Sequence, residues 1–313
     1  MYFKTLNSRL SLLFAFLKHY RYDYIKGKPM LLYKYRNFSD IKSLEYTLDS
    51  LKNKYLYFSR PSELNDPFDC QMQMDLNASD EEIATWIENN KSKMIPGNKF
   101  STVDSFKKEL EKGNAQAFLQ IFSSSRIVET NHVLSLTTEC LNESMWALYA
   151  GKYNGICIGF NINSPDLIFE PIKILATDIF THQTFMASKK RIKFERIYYD
   201  NDGKHRVHIL KNSDTEMNNV IYNLAHKKKC WETESEYRAI IFDTDLIDIP
   251  RSTLSTKTYY DDSLLEEILF GYQVPDSFIY SVRKVVEASY KKTIKFYKVS
   301  PDLYNYVLKR ELI

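Results

Sequence analysis

Glu234, Glu236 and Arg238 stand at alternate positions in "KKKCWETESEYRAII", residues 227 to 241. An extended chain points residues i, i+2 and i+4 to one face. This spacing therefore projects two carboxylates and a guanidinium together, as Ala239 to Phe242 carry a strand into the core. Two ionised carboxylates side by side repel, which raises the pKa of at least one unless a cation offsets it. Arg238 is placed to be that cation. With Trp231 before the group and an apolar run after it, the setting suits the rim of a cleft. A solvated salt ladder on an open strand is the plainer alternative.

"NDPFD" at residues 65 to 69 offers a second set of polar groups. Asp66 and Asp69, joined in space to Glu234 and Glu236, would bind Mg²⁺ and support phosphodiester cleavage. The same residues also spell a structural turn, in which Asn65 and Asp66 bond nearby backbone and Pro67 fixes φ. In "MWALYA", Trp146 and Tyr149 supply rings that can stack on a ligand, while Met145, Trp146 and Leu148 equally suit a core-facing helix. His205 and His208 form an HxxH without the Glu of HExxH, so a solvated loop is expected there and no metal site.

These residues need elements to hold them. "LLYKYR" at 31–36 reads as a strand, followed by a helix with Ile41, Leu44, Leu48 and Leu51 on one face and Ser39 as its cap. "KYLYFSRP" at 54–61 is a second strand. "HVLSLTTE" at 132–139 is a third, and Asn142 caps the short helix "ESMWALYAGKY". "GICIGFN" at 155–161 reads as a strand buried on both faces, with Cys157 as a core residue. "PIKILA" and "RIYYD" are short strands, and "EMNNVIYNLAHKKKC" is helical up to the opening motif. A helix over about 276–291 and the strand "TIKFYKV" follow "LLEEILFGYQVP".

The order of elements predicts an α+β fold: a mixed central sheet with flanking helices. Its domain organisation is a basic helical arm at 1–30 and a single domain at 31–313, with a polar helical insertion at about 79–130. Residues 1–36 hold eight Lys or Arg against one acid, in a chain whose net charge is only +3. That arm is suited to a partner, a nucleic acid or another subunit, as well as to docking on the body. Its apolar run, Leu10 to Leu17, is too short to span a bilayer, and no small-residue cleavage site follows it.

The four cysteines are scattered without a CxxC pair, which fits a cytoplasmic protein. Neither GxGxxG nor GxxxxGK[ST] occurs, and only 8 glycines are present, so Rossmann and P-loop phosphate cradles are not expected.

Tyr33-Lys34-Tyr35-Arg36, Asn65-Asp66-Pro67-Phe68, Met145 to Tyr149, "GICIGF" and Trp231 to Arg238, in that order, resemble a bacterial family catalogued as domain of unknown function 2971. More remotely, Glu-x-Glu on a late strand resembles the ADP-ribosyltransferases. Their first strand carries Arg or His, and a middle strand carries Ser-Thr-Ser or a Tyr. Here "LLYKYR" and Ser135-Leu136-Thr137 occupy those places.

That resemblance implies an ADP-ribosyltransferase-like core that uses NAD as substrate, with no metal, in a toxin or phage-defence effector. Glu236 would stabilise the oxocarbenium-like state, Glu234 would orient or deprotonate the acceptor, and Ser135 would complete the catalytic set. Lys34, Tyr35, Arg36, Asn65, Asp66, Trp146, Tyr149 and Arg238 would line the NAD site. Lys34 or Arg36 would hold the diphosphate, and Trp146 and Tyr149 would stack on nicotinamide or adenine. A protein or nucleic-acid acceptor is implied, and a neutralising partner is compatible with an effector. A metal-dependent nuclease and a non-catalytic nucleic-acid or partner-binding module are the alternatives.

Overall fold

The computed structural model describes residues 30–71, 73–90, 100–113, 132–162, 174–177, 184–187, 194–203, 205–208, 210, 214–241 and 254–313. The basic arm expected at 1–30 lies outside them, apart from Met30, which opens the first strand.

In chain order the strands are β1 (Met30–Asn37), β2 (Tyr55–Tyr57), β3 (Gln73–Asp75), β4 (His132–Thr137) and β5 (Gly155–Ile162). Then come β6 (Ile174–Thr177), β7 (Thr184–Ala187), β8 (Phe194–Arg196), β9 (Tyr198–Asp200) and β10 (Arg206–His208). The last six are β11 (His226–Lys228), β12 (Glu236–Ile241), β13 (Leu254–Tyr259), β14 (Leu265–Gly271), β15 (Lys295–Asp302) and β16 (Val307–Leu312). The helices are α1 (Ile41–Lys52), α2 (Asp80–Asn90), α3 (Val103–Glu111), α4 (Glu143–Tyr149), α5 (Asp214–Leu224) and α6 (Asp276–Ser289).

The chain divides into two compact units. The larger takes in the described residues of Pro29–Asp69, Val128–Gly203 and Ala225–Ile313. It is built on an eight-stranded mixed sheet of order β16-β15-β14-β5-β1-β4-β12-β8, parallel only between β14 and β15. A four-stranded sheet of order β2-β13-β6-β7 completes it, with the two-stranded pair β11-β9. The smaller unit takes in the described residues of Cys70–Ile127 and Lys204–Leu224. There the expected helical insertion supplies α2 and α3, whose Ile83, Ile87 and Phe106 form a core with Phe100 and Leu210.

Alternation along the strands of the large sheet sorts side chains onto two faces. Leu32, Ile156, Ile158, Phe160, Ile268 and Phe270 pack with Leu44 and Leu51 of α1 and Val282 and Val286 of α6. The intervening Tyr33, Tyr35, Cys157 and Leu269 face the other way, against Trp146 of α4. Gly159 stands opposite Tyr33. A Cβ there would lie 2.8 Å from the Tyr33 ring and 2.9 Å from Glu267. Its absence leaves room for the Tyr33 hydroxyl to donate to Glu267 at 2.9 Å.

Several local expectations are corrected. Asp40, not Ser39, caps α1, accepting from the Ser43 amide at 2.7 Å. The helix running towards the opening motif stops at Leu224 and gives way to β11. His205 precedes a strand, β10, and His208 ends it; His205 stacks on Tyr222 at 3.9 Å. The C-terminal tail is a strand, β16. Asn142 does cap α4, its Oδ1 accepting from the Met145 amide at 3.0 Å. No described helix is long and apolar enough to cross a membrane.

Candidate functional site

The large sheet parts beside its middle. β1 and β4 register at one position, Tyr33 opposite Thr137, whereas β1 and β5 register along eight. Beyond Thr137, β4 turns to another partner: Ser59 and Val133 exchange both backbone hydrogen bonds at 2.8 Å. Lys34 reaches into the gap and donates to the Ser135 carbonyl at 3.0 Å. A cavity of about 120 Å³ opens there, its walls including Lys34, Asn65, Ser135, Tyr149, Glu234 and Glu236.

A buried charge network stands behind this cavity. Arg238, fully buried, donates from Nη1 and Nη2 to the two oxygens of Asp69, each at 2.9 Å. Its Nε and Nη2 also reach Glu236 Oε1 at 3.0 and 2.8 Å. Lys227 Nζ lies 2.7 Å from Glu234 Oε2 and 2.7 Å from Glu236 Oε2, bridging the two carboxylates. Glu236 Oε2 is thus buried and ion-paired with Lys227. Tyr149 donates to Glu234 Oε1 at 2.6 Å, and Asn65 Nδ2 stands 3.4 Å from the Tyr149 hydroxyl.

The two glutamates reach the site by different routes. β12 begins at Glu236, and Glu234 ends a 3-10 turn, Lys229–Glu234. The expected single strand carrying both is therefore corrected. Ser235 between them has φ 45°, the left-handed region that L side chains rarely enter. That reversal aims Glu234 back into the cavity. Thr137 Oγ1 donates to the Glu234 carbonyl at 2.6 Å, and Asn142 Nδ2 donates to the Thr233 carbonyl at 2.6 Å, so β4 and the α4 cap pin the turn.

Electrostatics follow from this packing. Burial alone would raise the Glu236 pKa, but Arg238 and Lys227 outweigh it and hold the carboxyl below its ordinary value. Burial would likewise lower the Lys227 pKa, yet Glu236, Glu234 and Asp69 hold it above the usual lysine range. Lys34 differs: burial, reinforced by Arg36, lowers it to about 8. Burial and then Glu234 push the Tyr149 hydroxyl up, so it stays a donor. Counted formally, the carboxylates of Asp69, Glu234 and Glu236 are matched by the cations Lys227, Arg238 and Lys34.

Of the residues singled out in the sequence, Lys34, Tyr35, Asn65, Ser135, Tyr149, Glu234 and Glu236 line one cavity. Arg238 sits behind it as a positioning residue, too deeply buried to meet a ligand. Trp146 is fully buried, T-shaped against Tyr35 at 5.3 Å and stacked on Tyr153, so it supports the wall and has no free face to stack on nicotinamide. Arg36 lies beside Tyr55 and Tyr260 and does not line this cavity, so it is not a diphosphate ligand there. Asp66 accepts from the Phe68 amide at 2.9 Å, the expected turn bond, and does not line the cavity. Asp69 has both oxygens bonded to Arg238, so the Asp66–Asp69 metal pair of the nuclease alternative is not assembled.

Lys227 escaped sequence reasoning. Its stretch read as helical, yet it lies in β11, which buries Lys227 and exposes Lys228.

Residues 145–239 match the model of a family described as a protein of unknown function (DUF2971). The matched stretch carries the Met145–Tyr149, "GICIGF" and Trp231–Arg238 motifs; Tyr33–Arg36 and Asn65–Phe68 lie before it. No curated protein and no solved structure matches the chain.

Proposed function

We propose that the chain is an ADP-ribosyltransferase-like enzyme that uses NAD as its substrate. The observation that carries this reading is Glu236: a buried carboxylate on the cavity wall, held ionised below its ordinary pKa by Arg238 and Lys227. Cleaving the nicotinamide–ribose bond sends the bonding electron pair to nicotinamide and leaves positive charge on the ribose. A fixed carboxylate at that point stabilises the charge.

The cavity's size narrows what enters. About 120 Å³ falls well short of the roughly 300–1,000 Å³ of a drug-sized site. It suits one ring, the ribose or the nicotinamide, with the adenosine half outside along the Asn65 and Tyr149 side. Lys34 is the cation available for the diphosphate. Glu234 has both oxygens engaged, by Tyr149 and Lys227, so its role is to hold Tyr149 and the turn more than to deprotonate an acceptor.

Calorimetric titration of NAD in the presence of a chelator tests the reading. Saturable binding, weakened several-fold by Lys34→Gln, is the expected result. Absence of binding at millimolar NAD rejects it. Nucleic-acid cleavage that appears only with added Mg²⁺ would favour the nuclease alternative instead.

A further inference from the structure

The large sheet ends at β16, and no described strand covers its outer edge. The amide of Ile313 donates inward to the Phe296 carbonyl at 3.0 Å, so the alternation of an antiparallel ladder turns Ile313, Glu311, Lys309 and Val307 backbone groups towards β15. Leu308, Arg310 and Leu312 then present their N–H and C=O groups outward. An edge of this kind is a template for another strand.

Its side chains are exposed and partly apolar. Val307, Leu312 and Ile313 are 52%, 70% and 42% exposed, and Leu303, Tyr304 and Tyr306 in the preceding turn are more exposed still. On the α6 side a groove of about 580 Å³ runs beside the strand, lined by Ile279, Tyr280, Arg283, Lys298 and Ile313 among others.

We propose that this edge pairs with the same edge of a second copy, making a symmetric dimer with one continuous sheet. The sequence of β16 is self-complementary about Arg310. Antiparallel pairing across a two-fold axis at Arg310 sets Lys309 opposite Glu311 of the second copy, and Glu311 opposite its Lys309. It sets Leu308 opposite Leu312, and Val307 opposite Ile313, so each exposed apolar residue gains an apolar neighbour. The central pair is also the one whose backbone groups face outward, as a closely hydrogen-bonded antiparallel pair requires. Arg310 meets its own copy there, but its charge is already committed to Glu267 at 2.6 Å. Val307 of the second copy comes beside Ile313, which brings the exposed turn with Tyr304 and Tyr306 to the groove along α6.

Sedimentation velocity of the full chain and of two exposed charge reversals tests the proposal independently of NAD chemistry. The wild type is expected to be a dimer. Lys309→Glu alone and Glu311→Lys alone place like charges opposite each other, and each should weaken dimerisation at least tenfold. Mixing the two variants restores opposite charges at both positions and should recover a heterodimer. Circular dichroism establishes that each variant is folded. A monomeric wild type at tens of micromolar, or single reversals that dimerise as well as the wild type, would overturn the proposal.

Discussion

Arg238 and Asp69, 169 residues apart in sequence, meet as a buried bidentate pair, with both nitrogen–oxygen distances 2.9 Å. Through the same guanidinium, Asp69 fixes Glu236 at the end of β12. The loop ending at Asp69 and the strand beginning at Glu236 are thereby locked around one cavity.

Removing the guanidinium leaves two carboxylates buried beside each other with only Lys227 to balance them. Arg238→Met should destabilise the protein by about 3–5 kcal/mol, the scale for breaking a buried ion pair from one side. Arg238→Lys should recover little, because an ammonium cannot bond both Asp69 oxygens and Glu236 in one plane. Urea unfolding at neutral pH measures both.

Lys34 contributes in the opposite sense. Its pKa is about 8 in the folded chain against 10.5 ordinarily, so the unfolded chain binds more protons between those values. Stability should therefore rise as pH increases from about 8 to 10.5, and the cost of the charge is fully present below about 8. Lys34 is part-exposed at the cavity mouth, which reduces the effect. Lys34→Met should gain about 1–2 kcal/mol at pH 7, and the gain should shrink towards pH 10.5 in urea titrations.

Acid should act through Glu236. Its folded pKa lies below the ordinary 4.5, so its contribution is present above that value and is lost as pH falls through the folded value. Glu236→Gln should be less stable than the wild type at pH 7, with the difference narrowing below pH 4.5. Chemical denaturation at a series of pH values follows the gap directly.

Ser235 sets the two glutamates on their separate routes. Ser235→Gly relieves the left-handed backbone and should be neutral or slightly stabilising. Ser235→Val, β-branched at φ 45°, should cost about 1–2 kcal/mol. Thermal melts of the two variants distinguish strain at this turn from loss of the hydroxyl.

The same residue explains what the sequence concealed. Glu234, Ser235 and Glu236 spell strand alternation, and only the backbone reversal at Ser235 shows that one carboxylate comes from a turn. β1, β4, β5 and α6 were legible because apolar periodicity marks them, and α4 because Asn142 caps it. β16 was not, because "VLKREL" is an exposed edge whose pattern carries no buried face beyond Leu308. Trp146 was misread for a related reason: periodicity places it on the inner side of α4, but only packing shows that Tyr35 and Tyr153 occupy its ring. Asp69 became a partner of Arg238 through a contact that no local spacing signals.

The central claim is that Glu236 stabilises positive charge on the ribose of NAD. Release of nicotinamide from isotope-labelled NAD, measured for the wild type and for Glu236→Gln with acceptors supplied, tests it most directly. The account predicts turnover by the wild type and a fall of about 10²-fold or more in the variant, the scale of losing one preorganised electrostatic group. NAD affinity should stay nearly unchanged, because that charge matters most in the transition state. Equal nicotinamide release by folded wild type and folded variant would contradict the account, as would a wild type that binds NAD and releases none.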